Sequence, residues 1–503
     1  FAGANYSHVD GTETWNNENY QFPQSLFDRE SYSKNSYQNH QEYMQFRYQN
    51  QKGKRYWVGK FTLVNLSTPR NASSGFAKES TETDVFSNIR KKSLSPKIDL
   101  NANLPLSKNQ TLTLGVHGKY SANSYHRLYQ EQPFETMTDE DEKALSFQLS
   151  AIYNYFSQKH SLSMELFHYH DVWNADYSGN CELWQHLWKG ESLAFFSYNF
   201  QASRRLSLKT RIGLDWLQYH LHGDNSFSQL SPRINTNVQY QLNKGMLLWS
   251  FNFVNSNHGM DVINRAMIQV NSHMMEKGMP ELKKSHDINT YLYYMGRFNR
   301  LSVSAIGQFR YNHHPVTDDY YLDEANGKIV KTYSNGGNAQ YYSAILALQY
   351  KLCKFANLSG DIRYNHAEVK TTWSKHNNNL TGNLGLNMFM GDFALKPYLH
   401  FGKKSLDEAA WVISKTPIDY GMSCSYSRGN LYVELQAASP FKKQEKQYWL
   451  DLPIYSYSKS IKDQTASQYA SIKVAYSFDF GRKIQKVEKD VNKNINSSLL
   501  RVE

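Results

Sequence analysis

Hydrophobic and polar residues alternate with a period of two along most of the chain, and the pattern is clearest in the last apolar segment, residues 467–482. One face of this segment carries Ala470, Ile472, Val474, Tyr476, Phe478 and Phe480, and the other carries Tyr469, Ser471, Lys473, Ala475, Ser477, Asp479 and Gly481. Successive side chains of a β-strand point to opposite faces of the sheet. The segment is therefore predicted to be a strand with one apolar face, which a soluble sandwich or a membrane barrel would both accept.

The same alternation flanks a series of short turns. These turns are at residues 50–54, 107–110, 157–160, 202–205, 243–245, 297–300, 353–356, 391–392 and 428–430. Each flanking run has about 9 to 12 residues, the length that a tilted strand needs to cross a bilayer. Longer connections lie between these hairpins, at 67–95, 122–143, 255–286, 313–338 and 437–466. Short and long connections that alternate are typical of an up-and-down barrel.

Charged residues in the middle of the strands favour a barrel with a wet interior. Lys209, Arg211 and Asp215 alternate with apolar residues in the segment 206–216. A soluble sandwich tolerates such residues facing water, but it does not need so many strands of one length. The hairpins, together with segments 1–9 and 468–481, give about twenty strands. The predicted fold is an all-β, transmembrane antiparallel up-and-down β-barrel of about 20 to 22 strands, with short periplasmic turns and long extracellular loops.

Composition agrees with β-structure and excludes several other classes. Aromatic residues make up 15% of the 503 residues, and charged residues 20%. The mean hydropathy is −0.68, and no apolar run is long enough for a transmembrane helix. The net charge of +11 is scattered, without a basic helix, so no nucleic-acid partner is predicted. Three widely spaced cysteines without a CxxC pair predict neither a disulfide scaffold nor a zinc site.

Three segments resemble the barrels of TonB-dependent outer-membrane receptors. The sequence Gly-Met-Pro-Glu-Leu-Lys at 278–283, just before a predicted strand, resembles the Gly-Asn-Pro-x-Leu segment of that family. Leu-Ser-Pro-Arg at 230–233 resembles its upstream companion, and residues 474–483 resemble the family's closing strand in the branch with a short basic tail. Gly278, Pro280 and Leu282 are the matching motif residues. Met279 stands where Asn is usual, and Lys284 stands where a second Pro is frequent.

The resemblance implies about 22 strands and a folded plug inside the barrel. No plug is recognisable before Glu42, and the chain begins at Phe1 without Met or an apolar signal segment. We therefore expect residues 1–481 to be an outer-membrane barrel whose plug and first hairpin lie upstream. Residues 482–503 are expected to form a basic periplasmic tail. A smaller, plugless barrel is the alternative.

Candidate ligand contacts lie where predicted strands enter long connections. His168 and His170, like His220 and His222, are placed on one face of a strand, a spacing that can bind a metal, but interfacial histidines are the competing interpretation. The predicted loop contacts are His170, Trp173, His220 and His222. The acidic runs at 139–142 and 318–324 suggest either a cation site or solvated loop tips. Tryptophans near strand ends suggest either sugar stacking or an interfacial girdle.

The predicted function is a TonB-dependent outer-membrane receptor that imports a ligand bound by its extracellular loops. A plugless subunit or structural component of an outer-membrane complex is the alternative, and a soluble sandwich array that binds glycans is a third class. No catalytic motif is present, so neither an enzyme, a cofactor nor a resident metal is predicted. Expected partners are outer-membrane lipid and lipopolysaccharide, a TonB-type energy-transducing protein acting through the plug, and an outer-membrane lipoprotein. Iron chelate, heme, cobalamin, oligosaccharide and peptide remain open as ligands.

Overall fold

The computed structural model describes residues 2–22, 25–224, 226–256, 258–441, 444–462 and 468–477. These residues form antiparallel strands almost throughout, together with one short helix, α1 (Met260–Ile263). No helix in these ranges has the length and apolar character needed to cross a membrane. The basic tail predicted at 482–503 lies outside the described residues, and so do Asp479 and the aromatic residues at 478 and 480.

The first half of the chain is a series of long strands. They are β1 (Ala2–Phe22), β2 (Ser25–Lys52), β3 (Arg55–Lys78), β4 (Glu82–Pro105), β5 (Gln110–Glu131), β6 (Phe134–Phe156), β7 (His160–Gly179), β8 (Leu183–Gln201), β9 (Leu206–Leu221), β10 (Ser226–Leu242) and β11 (Gly245–Ser256). Each pairs antiparallel with the next along the chain.

The second half contains shorter strands. They are β12 (Met267–Gln269), β13 (Met274–Lys277), β14 (Ser285–Phe298), β15 (Leu301–His313), β16 (Thr317–Asp323), β17 (Lys328–Ser334), β18 (Asn338–Lys351), β19 (Ala356–Lys370), β20 (Ser374–Met390), β21 (Phe393–His400), β22 (Lys403–Leu406), β23 (Ile413–Thr416), β24 (Asp419–Arg428), β25 (Leu431–Ala438), β26 (Glu445–Asp451), β27 (Tyr455–Lys462) and β28 (Tyr469–Tyr476). β12, β13, β17 and β16 form a small separate sheet, and in the described residues the other twenty-four strands belong to one large sheet.

In the large sheet, four longer runs of strand are each interrupted once and so divided into two strands. These runs are β21 with β22, β23 with β24, β25 with β26 and β27 with β28. β21 and β22 pair with β24 and β23 in one continuous register, from Leu395 opposite Cys424 to Lys403 opposite Thr416. β25 and β26 do the same with β28 and β27. The described strands of the large sheet therefore make about twenty runs, the number expected from the sequence. β27 pairs with β1 over Glu13–Tyr20, so the pairing returns to the first strand.

All nine short turns predicted from the sequence are confirmed as hairpin turns. They join β2 to β3, β4 to β5, β6 to β7, β8 to β9, β10 to β11, β14 to β15, β18 to β19, β20 to β21 and β24 to β25. Several place a glycine where the backbone has positive φ, such as Gly53 (φ 61°), Gly391 (φ 62°) and Gly429 (φ 57°). We call the edge of the sheet that carries these turns the short-turn rim, and the opposite edge the long-connection rim.

Two of the predicted loops were wrong, because the strands continue through them. Residues 67–95 and 122–143 lie in the hairpins β3–β4 and β5–β6, whose tips are only residues 79–81 and 132–133. The residues that follow Val9 likewise form strands, in the hairpin β1–β2. In these extensions the apolar alternation fades, but backbone hydrogen bonds between strands do not require apolar side chains. For the same reason the predicted strand length of 9 to 12 residues is too short for β1–β8, which have 19 to 28 residues, whereas β11 and β24 have 12 and 10.

The large sheet has one face with exposed apolar side chains and one with buried polar ones. On β9, Ile212, Leu214 and Trp216 are 49%, 52% and 48% exposed, whereas Asp215 between them is fully buried. The same outer face carries Leu166, Ile362, Leu380, Leu435, Ile472 and Val474, each more than half exposed. The prediction that mid-strand charges take the face opposite the apolar residues is confirmed for Asp215. We call the two faces outer and inner.

Candidate functional site

Two long connections pack onto the inner face near the long-connection rim. They are residues 258–284, which contain α1, β12 and β13, and residues 317–334, which form β16 and β17. β13 and β17 pair in parallel, with Met274 opposite Ile329. This joins the two connections into one body, which we call the insert.

Hydrophobic contacts bind the insert to two distant parts of the large sheet. Met260, Ile263, Ala266 and Ile268 pack against a group on β7, β8 and β9, namely Ala175, Tyr177, Leu187 and Leu221. Met274, Tyr320 and Ile329 pack against a second group on β1, β18, β19, β26 and β27 and their connections, namely Tyr20, Ala339, Val369, Trp411, Leu450, Leu452 and Tyr455. Because these strands lie far apart in the pairing order, the insert bridges two distant parts of the inner face at the long-connection rim. Trp411, which the girdle interpretation places at the surface, is fully buried and donates its indole N–H to Asp318 O at 2.7 Å.

Asp215 fastens the end of the insert to the wall. Its Oδ2 accepts hydrogen bonds from Arg233 at 2.7 Å, Lys284 Nζ at 3.0 Å and Asn255 Nδ2 at 2.7 Å. Arg233 also pairs with Glu191 at 3.1 Å. The side chains of Asp215 and Lys284 are 0% and 1% exposed. A buried carboxylate is tolerated only when it is paired and hydrogen-bonded, and Arg233 and Lys284 supply the paired charges here.

Arg29 forms a second buried network, in another part of the large sheet. It pairs with Glu18 at 3.0 Å and Glu131 at 2.8 Å while remaining 5% exposed. Ser272 of the insert donates to Glu131 at 3.3 Å, and Tyr455 donates to Glu18 at 2.7 Å. The network therefore joins β1, β2, β5, β27 and the insert in one place.

Arg127 of β5 holds the backbone of the insert. Its two terminal nitrogens donate to the carbonyl oxygens of Gln269 at 3.0 Å and Val270 at 2.6 Å. Lys328 on β17 donates to the Gln269 side chain at 2.8 Å. Side-chain donors thus satisfy carbonyls where the small sheet faces the wall, which a buried polar backbone requires.

The small sheet carries its own buried ionic group. Lys331 lies 3.4 Å from Asp318 and 3.5 Å from Glu276. Burial raises the pKa of Asp318 to about 6, even though the charge of Lys331 opposes this shift. Burial alone would lower the pKa of Lys331, but the charges of Asp318 and Glu276 outweigh burial and raise it. The insert therefore contains a carboxyl group that titrates near neutral pH.

The motif residues Gly278, Pro280 and Leu282 lie at the end of the insert. A Cβ at Gly278 would meet the backbone of Asn264 and would lie 2.7 Å from Val262 O. Met279 N donates to Val262 O at 2.7 Å, and Leu282 is 4% exposed. The motif therefore folds the chain closely against α1 before it enters β14.

The sheet divides the four candidate ligand contacts between its two faces. His170 shares the face of exposed Leu166, whereas Trp173 points inward and packs against the insert. His220 shares the face of exposed Trp216, and its Nδ1 lies 3.1 Å from Ser226 Oγ. His222 is exposed, with its ring 4.9 Å from that of Trp184. The four residues thus do not converge, and their role as ligand contacts stays a prediction.

The acidic run at 139–142 is not a solvated loop tip. Glu140 and Glu142 lie on the inner face of β6 and are each 1% exposed. Tyr177 OH donates to Glu140 at 2.7 Å, and Asn123 Nδ2 donates to Glu142 at 2.5 Å. Among the described residues, no group of three or more His, Cys, Asp or Glu side chains is arranged to hold a metal.

Sequence reasoning missed the insert and most of its anchors. Arg127, Arg29 and Lys284 come from segments separated by dozens of residues, and no local pattern connects them. The available signal in the sequence was a charged residue in the middle of a strand. Among the anchors of the insert named above, this signal identified Asp215 alone.

A surface groove of about 1190 Å³ lies at the long-connection rim, beside the joint between β20 and β22. Here β22 is held to β20 by side chains, since Asn377 Nδ2 donates to Lys404 O at 3.1 Å and Lys404 N donates to Asn379 Oδ1 at 2.8 Å. The groove is lined by residues that include Asn17, Asn19, Asp28, Glu30, Lys403, Lys404, Lys415, Trp449 and Asp451.

Comparison with known proteins gives a fold and no close relative. No protein-family model and no curated protein sequence matches the chain. The solved structure of the copper transporter OprC matches over 90% of this chain and 80% of its own, with 10% identity and a TM-score of 0.56. The siderophore receptor PiuA from Acinetobacter baumannii matches over 90% and 81%, with 10% identity and a TM-score of 0.51.

FpvA from P. aeruginosa, solved with heterologous pyoverdines, is also similar in fold. It matches over 90% of this chain and 71% of its own, with 8% identity and a TM-score of 0.52. These structures are receptors and transporters of the outer-membrane β-barrel type, not enzymes. Their likeness at about 10% identity extends to the fold alone.

Proposed function

We propose that the chain is an outer-membrane receptor or transporter of the TonB-dependent type, built as a transmembrane barrel whose long connections bind a ligand. The observation that carries the proposal is the wall itself, which presents exposed apolar residues outside and a charged, hydrogen-bonded face inside. Alternation of this kind suits a strand with lipid on one side and a wet lumen on the other. The similarity in fold to OprC, PiuA and FpvA supports the same class.

The return of the pairing from β27 to β1 supports a closed barrel. Closure removes the unpaired backbone groups that an open sheet would expose to hydrocarbon. The outer apolar band would then lie in the outer membrane. The long-connection rim would face the exterior, and the short-turn rim would face the periplasm.

The insert is the element that passage through the lumen must move. It spans the interior from β7–β9 to β1 and β27, so a ligand crossing the ring has to displace it. The energy would come from a TonB-type protein acting through a plug domain, as the family resemblance implies. Ligand specificity would reside in the insert and the neighbouring inner wall, because outer residues need only be apolar.

A reversible crosslink between insert and wall tests this role. His273 Nε2 of the insert lies 3.1 Å from Glu79 Oε1 at the tip of β3–β4, so cysteines at these two positions can be bridged by a cleavable bifunctional thiol reagent. Copper(II) and a ferric siderophore are the first probes, since the solved proteins of similar fold are named for these ligands. We expect uptake of one probe by cells that depend on the chain to stop after crosslinking and to resume after cleavage. Single-cysteine variants treated in the same way are the control.

Uptake that continues in fully crosslinked cells would contradict transport through this lumen. A plugless subunit of an outer-membrane complex is the second candidate, and the closely packed insert favours it, because a lumen filled by the chain's own connections need not open. In that case crosslinking would leave growth and co-purification of partner proteins, including an outer-membrane lipoprotein, unchanged.

A further inference from the structure

Four polar residues form a row across four neighbouring strands of the large sheet. Asp361 on β19 pairs in register with Asn383 on β20. Asn383 in turn pairs with His400 on β21, and His400 pairs with Asp419 on β24. Side chains of residues that pair in register lie on the same face of a sheet. Ile362, next to Asp361, is 61% exposed on the outer face, so the row lies on the inner face.

Both carboxylates of this row already have partners on the wall. Asp361 accepts hydrogen bonds from Arg363 Nε at 2.9 Å and from Arg363 Nη2 at 3.1 Å. Asp419 Oδ1 accepts from Ser439 Oγ at 3.0 Å, and Asp419 Oδ2 lies 3.3 Å from His400 Nδ1. The negative charges of the row are therefore compensated within the wall itself, whereas Arg363 keeps Nη1 as an unused donor.

A cavity of about 430 Å³ opens beside this row, and two further cations line it. They are Lys403 at the start of β22 and Lys446 on β26, and both are exposed. Within the part of the chain that the structure describes, no ion pair or hydrogen bond joins either ammonium group to another side chain. The described lining thus contains three cations, Arg363, Lys403 and Lys446, and one carboxylate, Asp419, which is already paired.

Tyr398 brings a hydroxyl group to the same cavity. It pairs in register with Gly421, and a Cβ at Gly421 would lie 2.5 Å from the hydroxyl oxygen of Tyr398. The ring of Tyr398 can lie across β24 only because glycine leaves this space free. The same ring lies 4.8 Å from that of His400. Hydroxyl, imidazole, guanidinium and ammonium groups therefore surround a space of the size that small ligands occupy.

The cavity lies well below the insert. On β19, Val369 packs against the insert, whereas Arg363 lies six residues nearer the short-turn rim, about 20 Å along the strand. In the run β21–β22, Leu406 packs with the same apolar group, and His400 lies six residues below it. A ligand that enters from the long-connection rim would therefore reach the cavity only after it has passed the insert.

We propose that this cavity binds a small ligand that carries at least two carboxylate or phosphate groups, with Lys403, Lys446 and Arg363 Nη1 as its donors. The proposal rests on the barrel of the proposed function, and it names the class of ligand that the lumen would carry. Such a ligand compensates the two lysines and leaves both carboxylate pairs of the wall intact. Hydrogen bonds from cationic side chains to carboxylate and phosphate are among the strongest in proteins, so these donors favour an oxyanion.

Isothermal titration calorimetry of the purified full chain in detergent tests the proposal. The probes are citrate, which carries carboxylates, inorganic pyrophosphate, which carries phosphates, and acetate, which carries a single negative charge. The variant is Lys403→Gln with Lys446→Gln, which leaves both carboxylate pairs of the wall in place. The matched control is Lys351→Gln with Lys354→Gln, two exposed lysines at the short-turn rim that change the net charge equally.

We expect the control to bind citrate or pyrophosphate as the unaltered chain does, and the Lys403/Lys446 variant to bind the same probe at least about 100-fold more weakly. Each lost hydrogen bond to a charged group corresponds to a factor of about ten or more. Lys446→Arg keeps the charge and should retain binding. An effect on citrate alone would assign the ligand to the carboxylates, and an effect on pyrophosphate alone would assign it to the phosphates.

Equal binding of the polyanions by the variant and the control would overturn the site. Failure of the unaltered chain to bind either polyanion at millimolar concentration would overturn it as well. Acetate that binds as tightly as a polyanion would overturn the requirement for two anionic groups. Binding by Lys446→Arg as weak as that of the double variant would attribute the loss to altered structure and would also count against the proposal.

Two assays keep failure of this site apart from failure of the proposed function. The crosslink between positions 79 and 273 tests transport in cells, and calorimetry tests the cavity in detergent. Uptake that continues after crosslinking, together with lysine-dependent binding, would reject transport and leave the anion site. Uptake that stops after crosslinking, together with equal binding by the variant and the control, would reject the anion site alone.

Discussion

Asp215 illustrates how one side chain can link the wall to the insert. Its carboxylate is fully buried and accepts from cations that belong to β10 and to the end of the insert. The alternation of β9 identifies this residue as inward-facing, but it does not reveal its partners. Lys284 is 69 residues away along the chain, and such pairs are fixed by tertiary packing alone.

Substitution of Asp215 should destabilise the protein more than substitution of Lys284. We expect Asp215→Ala to lower the free energy of unfolding by about 3–5 kcal/mol, because it leaves Lys284 buried without a partner. Lys284→Met should lower it by about 2 kcal/mol, because Asp215 keeps Arg233. Urea unfolding in micelles measures both. A larger loss of stability in Lys284→Met than in Asp215→Ala would contradict the explanation that buried Lys284 needs Asp215 more than Asp215 needs Lys284.

Gly278 should tolerate no side chain, for a steric reason. A Cβ there would meet the backbone at Val262 and Asn264, which cannot move as a flexible side chain can. We expect Gly278→Ala to destabilise the insert by about 1–3 kcal/mol, the usual cost of overpacking. Gly336→Ala is the matched control, since its Cβ would meet no atom within 4 Å. Hydrogen exchange of residues 258–284 gives the comparison, and equal protection in the two variants would contradict the prediction.

At the scale of elements, the sequence identifies the short-turn rim well and the long-connection rim poorly. Turns such as Gly53–Lys54 interrupt strong apolar alternation, so all nine are recognisable. Beyond the apolar band the strands β3–β6 continue with polar residues on both faces, and the alternation that defines a strand disappears. The insert is still harder to predict from the sequence. Residues 258–284 bury their apolar groups against several distant strands, so their apolar positions do not repeat with a regular period.

The small sheet should respond to pH through Asp318. Burial raises its pKa from 3.8 to about 6, so between these values the folded insert binds the proton more tightly than the unfolded chain does. This contribution to stability is complete below about pH 4 and is lost as the pH rises through 6, and it amounts to at most about 3 kcal/mol.

We therefore expect hydrogen-exchange protection of residues 317–334, corrected for intrinsic exchange, to fall between pH 5 and pH 7. Asp318→Asn should remove most of this dependence, because the amide resembles the protonated acid. Glu324→Gln, an exposed position at the tip of the same hairpin, is the control and should behave as the unaltered chain does. Persistence of the pH dependence in Asp318→Asn would assign it to another group.

At the scale of the whole molecule, the insert would determine whether the lumen of the proposed barrel is open. Ser256 and Ser285 are paired where the first connection leaves and re-enters the sheet, as are His313 and Asn338 for the second. Each connection can therefore be replaced by a short Gly-containing turn without changing the strand pairing.

We expect the chain with both replacements to conduct ions in a planar bilayer and the unaltered chain to remain closed. Replacement of residues 317–334 alone should give a smaller conductance, because the first connection still packs on β7–β9. A doubly shortened chain that folds and yet does not conduct would mean that the lumen is filled by something other than the insert.

The pairing of β27 with β1 also sets the order of events during assembly. Tyr455 and Glu18, bonded across this seam, are 437 residues apart, so this bond cannot form until the last hairpins are in place. The entropy of closing so large a loop makes this the late step. Until then both edge strands present unpaired backbone to any neighbouring chain. The seam is therefore the point at which a folding intermediate is most exposed to mispairing. The time for which β1 and β27 remain unpaired should determine the yield of correctly assembled protein.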